Sequence, residues 1–180
     1  MGVDAFILKY RLKYTGNQTK QIGQNIRDFA AADGQQAVRV IRARASEFGI
    51  EVDRIGIMGF SAGGYVTLAA VMGPADARPN FAAPVYAPTG SDRGMPIVVP
   101  VNAPPLFIAT AADDQIIPWE CSMNLFTAWR NRGVPAELHI FQTGRHGFVA
   151  KGGGADHFME RLEEWMKVNG WLAAKVQDSK

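Results

Sequence analysis

Thiols are almost missing from this chain of 180 residues: there is one cysteine, Cys121. It has no second cysteine to bridge, so nothing in the sequence demands an oxidising compartment. Long hydrophobic runs are missing too. None approaches the roughly 18 residues of a membrane span, and "AFIL" near the start is too short and too poorly flanked for a signal peptide. No excess charge of one sign marks a polyanion binder, since 19 Lys and Arg stand against 17 Asp and Glu for a net charge of +2. The one modest basic cluster, Arg39, Arg42 and Arg44, falls on a helical pattern and reads as a solvated face rather than a nucleic-acid stripe. Internal repeats are absent, as is any linker rich enough in Pro, Gly or Ser to divide the chain. These absences predict a soluble, cytoplasmic protein with one domain over residues 1–180, without nucleic-acid or membrane partners.

What the chain does have is apolar content: 47% hydrophobic against 20% charged residues is enough to bury a sizeable core at this length. The apolar residues alternate between strand-like and helix-like spacing. "DAFILKYRL" (4–12) predicts a strand. "DGQQAVRVIRARASEFG" (33–49) predicts a helix with Ala37, Val38, Ile41, Ala45 and Phe48 on one face, Asp33 and Gln36 at its capped start and Gly49 at its end. "RIGIMGF" (54–60) is a buried-strand run, and a helix follows from about Ala62 until "MGPADARP". "FAAPVYA" (81–87) and "PLFIATA" (105–111) are the next strands, with a Pro- and Gly-rich loop between them. Trp119 to Arg132 reads as an amphipathic helix through Leu125, Phe126 and Trp129, closed by Gly133 before the strand "AELHIFQ". A last helix starts near Asp156 and buries Phe158, Leu162, Trp165 and Met166. Strands separated by helices of this length predict βαβ units: an α/β fold with a mostly parallel sheet and helices on both faces.

One serine stands at a mechanically special place. In Gly59-Phe60-Ser61-Ala62-Gly63 it lies where a strand turns directly into a helix, the context in which G-x-S-x-G carries chemistry. Such a turn strains the backbone at the serine, and side chains at the flanking glycines are expected to collide with the neighbouring strand or helix. The Ser61 Oγ is then held at the carboxyl end of a strand with a helix N-terminus behind it, and the Ala62 N–H points to where an oxyanion would form.

A serine nucleophile needs a base, and the chain has three histidines. His139 lies inside a strand pattern and reads as structural, and His157 falls at the start of the last helix. His146, in the loop "TGRHGF" after the last strand, reaches the same carboxyl edge as Ser61. The third member is expected after an intervening strand, where "LFIATAADDQIIPW" offers Asp113 and Asp114. One of these would accept the imidazole Nδ1–H, and the other would serve a turn or cap. The order Ser, Asp, His is that of the α/β-hydrolases.

"GFSAGG", "PPLFIATAADDQIIP", "GVPAELHIFQTGRHGF" and "FILKYRL" together resemble the α/β-hydrolase esterases grouped with acetyl-xylan-esterase-like and hormone-sensitive-lipase-like enzymes. The resemblance covers nearly the whole chain. In that family the acid takes the first position of D-x-x-V/I-P, which here is Asp114 ahead of Gln115, Ile116, Ile117 and Pro118. It implies a serine carboxylesterase acting on short-chain acyl esters, acetylated carbohydrate among them, with a small-molecule ester as partner and no metal or organic cofactor. Two other readings are a catalytically weak hydrolase-fold binding protein and a serine peptidase.

Family members also carry a His-Gly-Gly-Gly or Pro-Gly-Gly-Gly segment upstream of the block that resembles "AFILKYRL", and its amides complete the oxyanion hole. Here Met1 stands only a few residues before that block. The resemblance therefore implies an N-terminally shortened sheet. The first strand would pair directly with the nucleophile strand, a second chain would fill the gap, or the chain is a fragment. Gly16 or Asn17 would offer a substitute oxyanion amide, and an open N-terminal edge predicts a homodimer. Tyr65, Tyr86, Trp119 and Phe148 are candidates for either pocket lining or core.

Overall fold

Four apolar runs pair side by side as a parallel sheet in a computed structural model that describes residues 2–11, 20–90, 96–150 and 154–172. The strands β1 (Gly56–Phe60), β2 (Phe81–Val85), β3 (Leu106–Ala111) and β4 (Ala136–Phe141) lie in chain order. Met58 stands opposite Ala83, Ala82 opposite Leu106, and Ala109 opposite His139. Parallel neighbours cannot be joined by a hairpin, so the chain must cross back between them. Helix α3 (Ala62–Val71) makes the return from β1 to β2, and α4 (Trp119–Asn131) the return from β3 to β4. All carboxyl ends of the strands therefore share one edge.

All six residues of β3 are buried, which is why "LFIATA" is apolar without a polar alternation. Alternate strand residues serve opposite faces. Ala83, Val85, Phe107, Ala109 and Ala111 pack with Phe158, Leu162, Trp165 and Met166 of α5 (Phe158–Val168). Ala82, Leu106 and Ile108 pack with Leu68 and Val71 of α3 and with Leu125 and Trp129 of α4. Helices thus cover both faces, as the sequence pattern predicts. Outside α3 lies α1 (Lys20–Ala43), whose Val38 packs with Ala70 and Ile55. The two helices approach closely at Gly34, where a Cβ would come within 2.5 Å of Val66 Cγ1.

The N-terminal expectations need correction. Residues 4–11 of the expected strand 4–12 form no strand, and residue 12 lies outside the described residues. β-type composition expresses fit to a pleated, half-buried surface, and among the described residues no neighbour supplies one. The run is fixed through side chains instead. The Arg11 N–H donates to Asp33 Oδ2 at 2.8 Å, its guanidinium to Asp33 Oδ1 at 2.6 Å, and Phe6 packs on Phe48 with ring centroids 4.8 Å apart. Hydrogen bonding from Arg11 holds the Asp33 carboxyl below its ordinary range. Asp33 is thus an anchor inside α1, not its cap, because α1 begins at Lys20. The expected helix 33–49 is divided at Arg44 into the end of α1 and the short α2 (Ala45–Phe48), which Gly49 closes with φ 67°. The dimer expected through an N-terminal edge strand loses that strand: among the described residues, the outer strand on this side is β1. No helix among the described residues is long and apolar enough to cross a membrane.

Candidate active site

Ser61 is the single residue between β1 and α3, and its backbone shows the cost of that position. With φ 52° and ψ −115° it lies on the side of φ that L-residues avoid. The conformation is held from both ends. The Ser61 N–H donates to Val85 O at 3.1 Å, extending the β1–β2 ladder, and its carbonyl accepts from Tyr65 N at 3.1 Å, starting the helix. Ala62, the first residue of α3, is exposed and belongs to the helix turn whose amides have no partner within the helix.

The glycines around the turn differ from the expected pattern. A Cβ at Gly59 would collide with the Gly63 carbonyl and come within 2.6 Å of Thr67 Oγ1. Gly63, in contrast, has room for a methyl group, since the nearest group to where its Cβ would stand is the Tyr10 hydroxyl, at 4.0 Å. The second steric demand falls on Gly64, whose Cβ would come within 2.6 Å of Ala87 Cβ on the neighbouring strand's extension. Close helix-to-sheet packing therefore explains Gly59 and Gly64. At Gly63 a methyl group would meet only the Tyr10 hydroxyl.

His146 comes from the loop after β4, and Asp114 from the turn after β3. The Ser61 hydroxyl and His146 Nε2 are 2.8 Å apart, and His146 Nδ1 and Asp114 Oδ2 are also 2.8 Å apart. With Nδ1–H donating to the carboxylate, Nε2 is left to accept from the Ser61 hydroxyl. The Asp114 side chain is fully buried, and its Oδ1 accepts the Ile116 and Ile117 amides at 2.8 and 2.9 Å. Those bonds satisfy a charge that burial would otherwise make costly. The structure thus brings together Ser61, His146 and Asp114, with Ala62 beside them. Gly16 and Asn17 lie outside the described residues.

Asp113 faces elsewhere, accepting the Arg145 N–H at 2.7 Å. His139 stays on β4, bonded to Glu137 Oε1 at 2.7 Å and packed on Phe107, and His157 is exposed beside Glu160. Among the described residues, no group of three or more His, Cys, Asp or Glu is arranged to hold a metal ion.

Tyr86 and Phe148 belong to the core rather than to an open pocket, 2% and 0% exposed. Tyr86, at the end of β2, has φ 35° and stands edge-on to both the His146 and Phe148 rings, each with centroids 4.9 Å away. Burial, with a smaller contribution from the Asp114 charge, pushes its phenol up to about 12. Tyr65 and Trp119 are partly exposed, and burial also raises the Tyr65 phenol.

Solved structures share this arrangement of strands and helices. An acetyl ester-xyloside bifunctional hydrolase from Caldicellulosiruptor lactoaceticus superposes with a TM-score of 0.69 and 25% identity, over 79% of this chain and 66% of that one. A butyrate-bound esterase, Est2, from Thermogutta terrifontis gives a TM-score of 0.71 and 25% identity, over 83% and 68%. In sequence, the chain is similar to an acetylxylan esterase from Xylanibacter ruminicola, 28% identical over 92% of this chain and 39% of that protein. The chain therefore spans about two fifths of the length of this curated relative. The strand order, the helices on both faces and the serine turn are those of an α/β-hydrolase. Residues 10–176, which hold the turn, the acidic loop and the histidine loop, match the dienelactone hydrolase family, and the chain belongs to that family.

Proposed function

We propose that this chain carries a serine ester hydrolase that acts on short acyl esters, acetylated carbohydrate among them. The observation that carries the reading is the unbroken relay from Ser61 through His146 to the buried Asp114, each link 2.8 Å long. In the first half-reaction His146 Nε2 takes the Ser61 proton as Oγ bonds to the ester carbonyl carbon. Negative charge develops on the carbonyl oxygen beside the Ala62 N–H at the start of α3. The carbonyl re-forms, the C–O bond to the alcohol breaks, and the alcohol leaves with the proton held on Nε2. In the second half-reaction His146 deprotonates water, which attacks the acyl-Ser61 carbonyl, and Ser61 leaves with that proton. Asp114 keeps its charge throughout and stabilises the imidazolium.

The names of the acetylxylan esterase and of the acetyl ester-xyloside hydrolase support an acetyl ester as substrate. Turnover of p-nitrophenyl acetate, acetylated xylan and a peptide anilide, measured in parallel, tests the proposal. Ester turnover with no anilide cleavage is the expected result. Preferred anilide cleavage would make it a peptidase, and turnover of none would leave a binding protein on a hydrolase fold.

A further inference from the structure

We infer that Asp113 is a positioning residue for His146, fixing the backbone of the loop on which the imidazole stands. This rests on the esterase reading above and adds a residue to it. The loop needs an anchor. Arg145 has φ 56° and Gly147 φ 76°, so His146 hangs between two left-handed residues, one of which carries a side chain. Asp113 Oδ1 accepts the Arg145 N–H at 2.7 Å and so holds the strained residue immediately before the histidine. On the other side Gly144 is wedged, since a Cβ there would come within 2.8 Å of Ala155 Cβ and 3.0 Å of Phe148 Cβ.

The adjacent aspartates thus grip the histidine at two points from one turn. Asp114 Oδ2 takes the ring at Nδ1, and its Oδ1 is locked by the Ile116 and Ile117 amides. Asp113 takes the main chain one residue earlier. To relay a proton, the imidazole must keep Nδ1 on Asp114 and Nε2 on Ser61 Oγ at once, which requires its backbone to stay in place. The Asp113 bond to the Arg145 N–H fixes that backbone one residue before the ring. Displacement of about 1 Å in such a relay costs up to about 100-fold in rate. Asp113 makes its contribution as an acceptor, which distinguishes it from Asp114, whose charge serves the imidazolium.

The test compares Asp113→Ala and Asp113→Asn in kcat and KM on p-nitrophenyl acetate, with rates expressed per site titrated by an organophosphonate so that only folded protein counts. Asp113→Ala is expected to lower kcat about tenfold to 100-fold with KM within about twofold. Asparagine offers the same amide-accepting oxygen and is expected to restore kcat to within about threefold of the parent chain. If the alanine variant does not fold, Asp113→Ser, whose shorter side chain cannot reach the Arg145 amide, carries the same expectation. A kcat within about twofold of the parent for the variant lacking the acceptor overturns the inference, and so does an asparagine variant as slow as alanine. A parent chain that the phosphonate does not label fails the esterase reading itself. A labelled parent with an unaffected Asp113→Ala sinks the inference alone.

Discussion

The Tyr86 ring stands edge-on to the His146 imidazole, with centroids 4.9 Å apart and planes at 61°. The aromatic wall behind the base is thus supplied by the residue after β2, on the strand next to Ser61. Its phenol, raised to about 12 by burial and then by Asp114, keeps its proton well into the alkaline range. An unfolded chain releases that proton near pH 10. Between these values the unfolded state binds fewer protons than the folded one, so stability falls as pH rises from about 10 to about 12. Tyr86→Phe is expected to remove this part of the alkaline loss. It should also delete the highest-pH component of the tyrosinate absorbance titration. A variant titrating like its parent would show that Tyr86 ionises with the other tyrosines.

Asp114→Asn is expected to lower kcat by about 10⁴, because an amide nitrogen facing Nδ1 forces the wrong imidazole tautomer. Thermal stability should change little, since the amide oxygen can still accept from the Ile116 and Ile117 amides. Steady-state kinetics beside a melting curve separates the two effects. A loss of less than about tenfold would assign the imidazole to another acceptor.

The glycines of the turn should respond unequally to alanine. Gly59→Ala and Gly64→Ala are each expected to cost about 2–3 kcal/mol, as backbone and Ala87 must move to admit the methyl. Gly63→Ala meets only the Tyr10 hydroxyl and should stay within about 1 kcal/mol of the parent. Urea unfolding of the three variants gives the ranking. A Gly63 variant as unstable as the other two would mean that the elbow is tighter than the structure describes.

Much of this arrangement is legible in the sequence because its signals are local. "RIGIMGF" against "SAGG" marks the strand-to-helix junction, and "LFIATA" declares itself a fully buried strand. His146 follows from its place after the last strand, whereas the place after "LFIATA" offers both Asp113 and Asp114, and only the resemblance to D-x-x-V/I-P singles out Asp114. The errors arise where structure depends on a distant neighbour. "AFILKYRL" has strand composition but no pairing partner among the described residues, and Arg11 is instead captured by Asp33 on α1. Asp33 looks like a cap because Gln36 follows three residues later, while the helix in fact begins at Lys20. The pentapeptide draws attention to Gly63, although the contact that forbids a side chain falls on Gly64, against Ala87 from another strand's extension. Asp113 and Tyr86 carried no motif. The doubled acid in "AADDQ" was the available signal for the former, and its division of labour depends on Arg145, 32 residues away.

The whole relay turns on Ser61 as the nucleophile. Intact-mass and peptide analysis after treatment with an organophosphonate, run on the parent chain and on Ser61→Ala, tests it most directly. A single phosphonyl group on Ser61 is expected, with no adduct on the variant and a turnover loss on the order of 10⁶. An adduct on another residue, or more than a few per cent of the parent's ester turnover in a clean Ser61→Ala preparation, would contradict it.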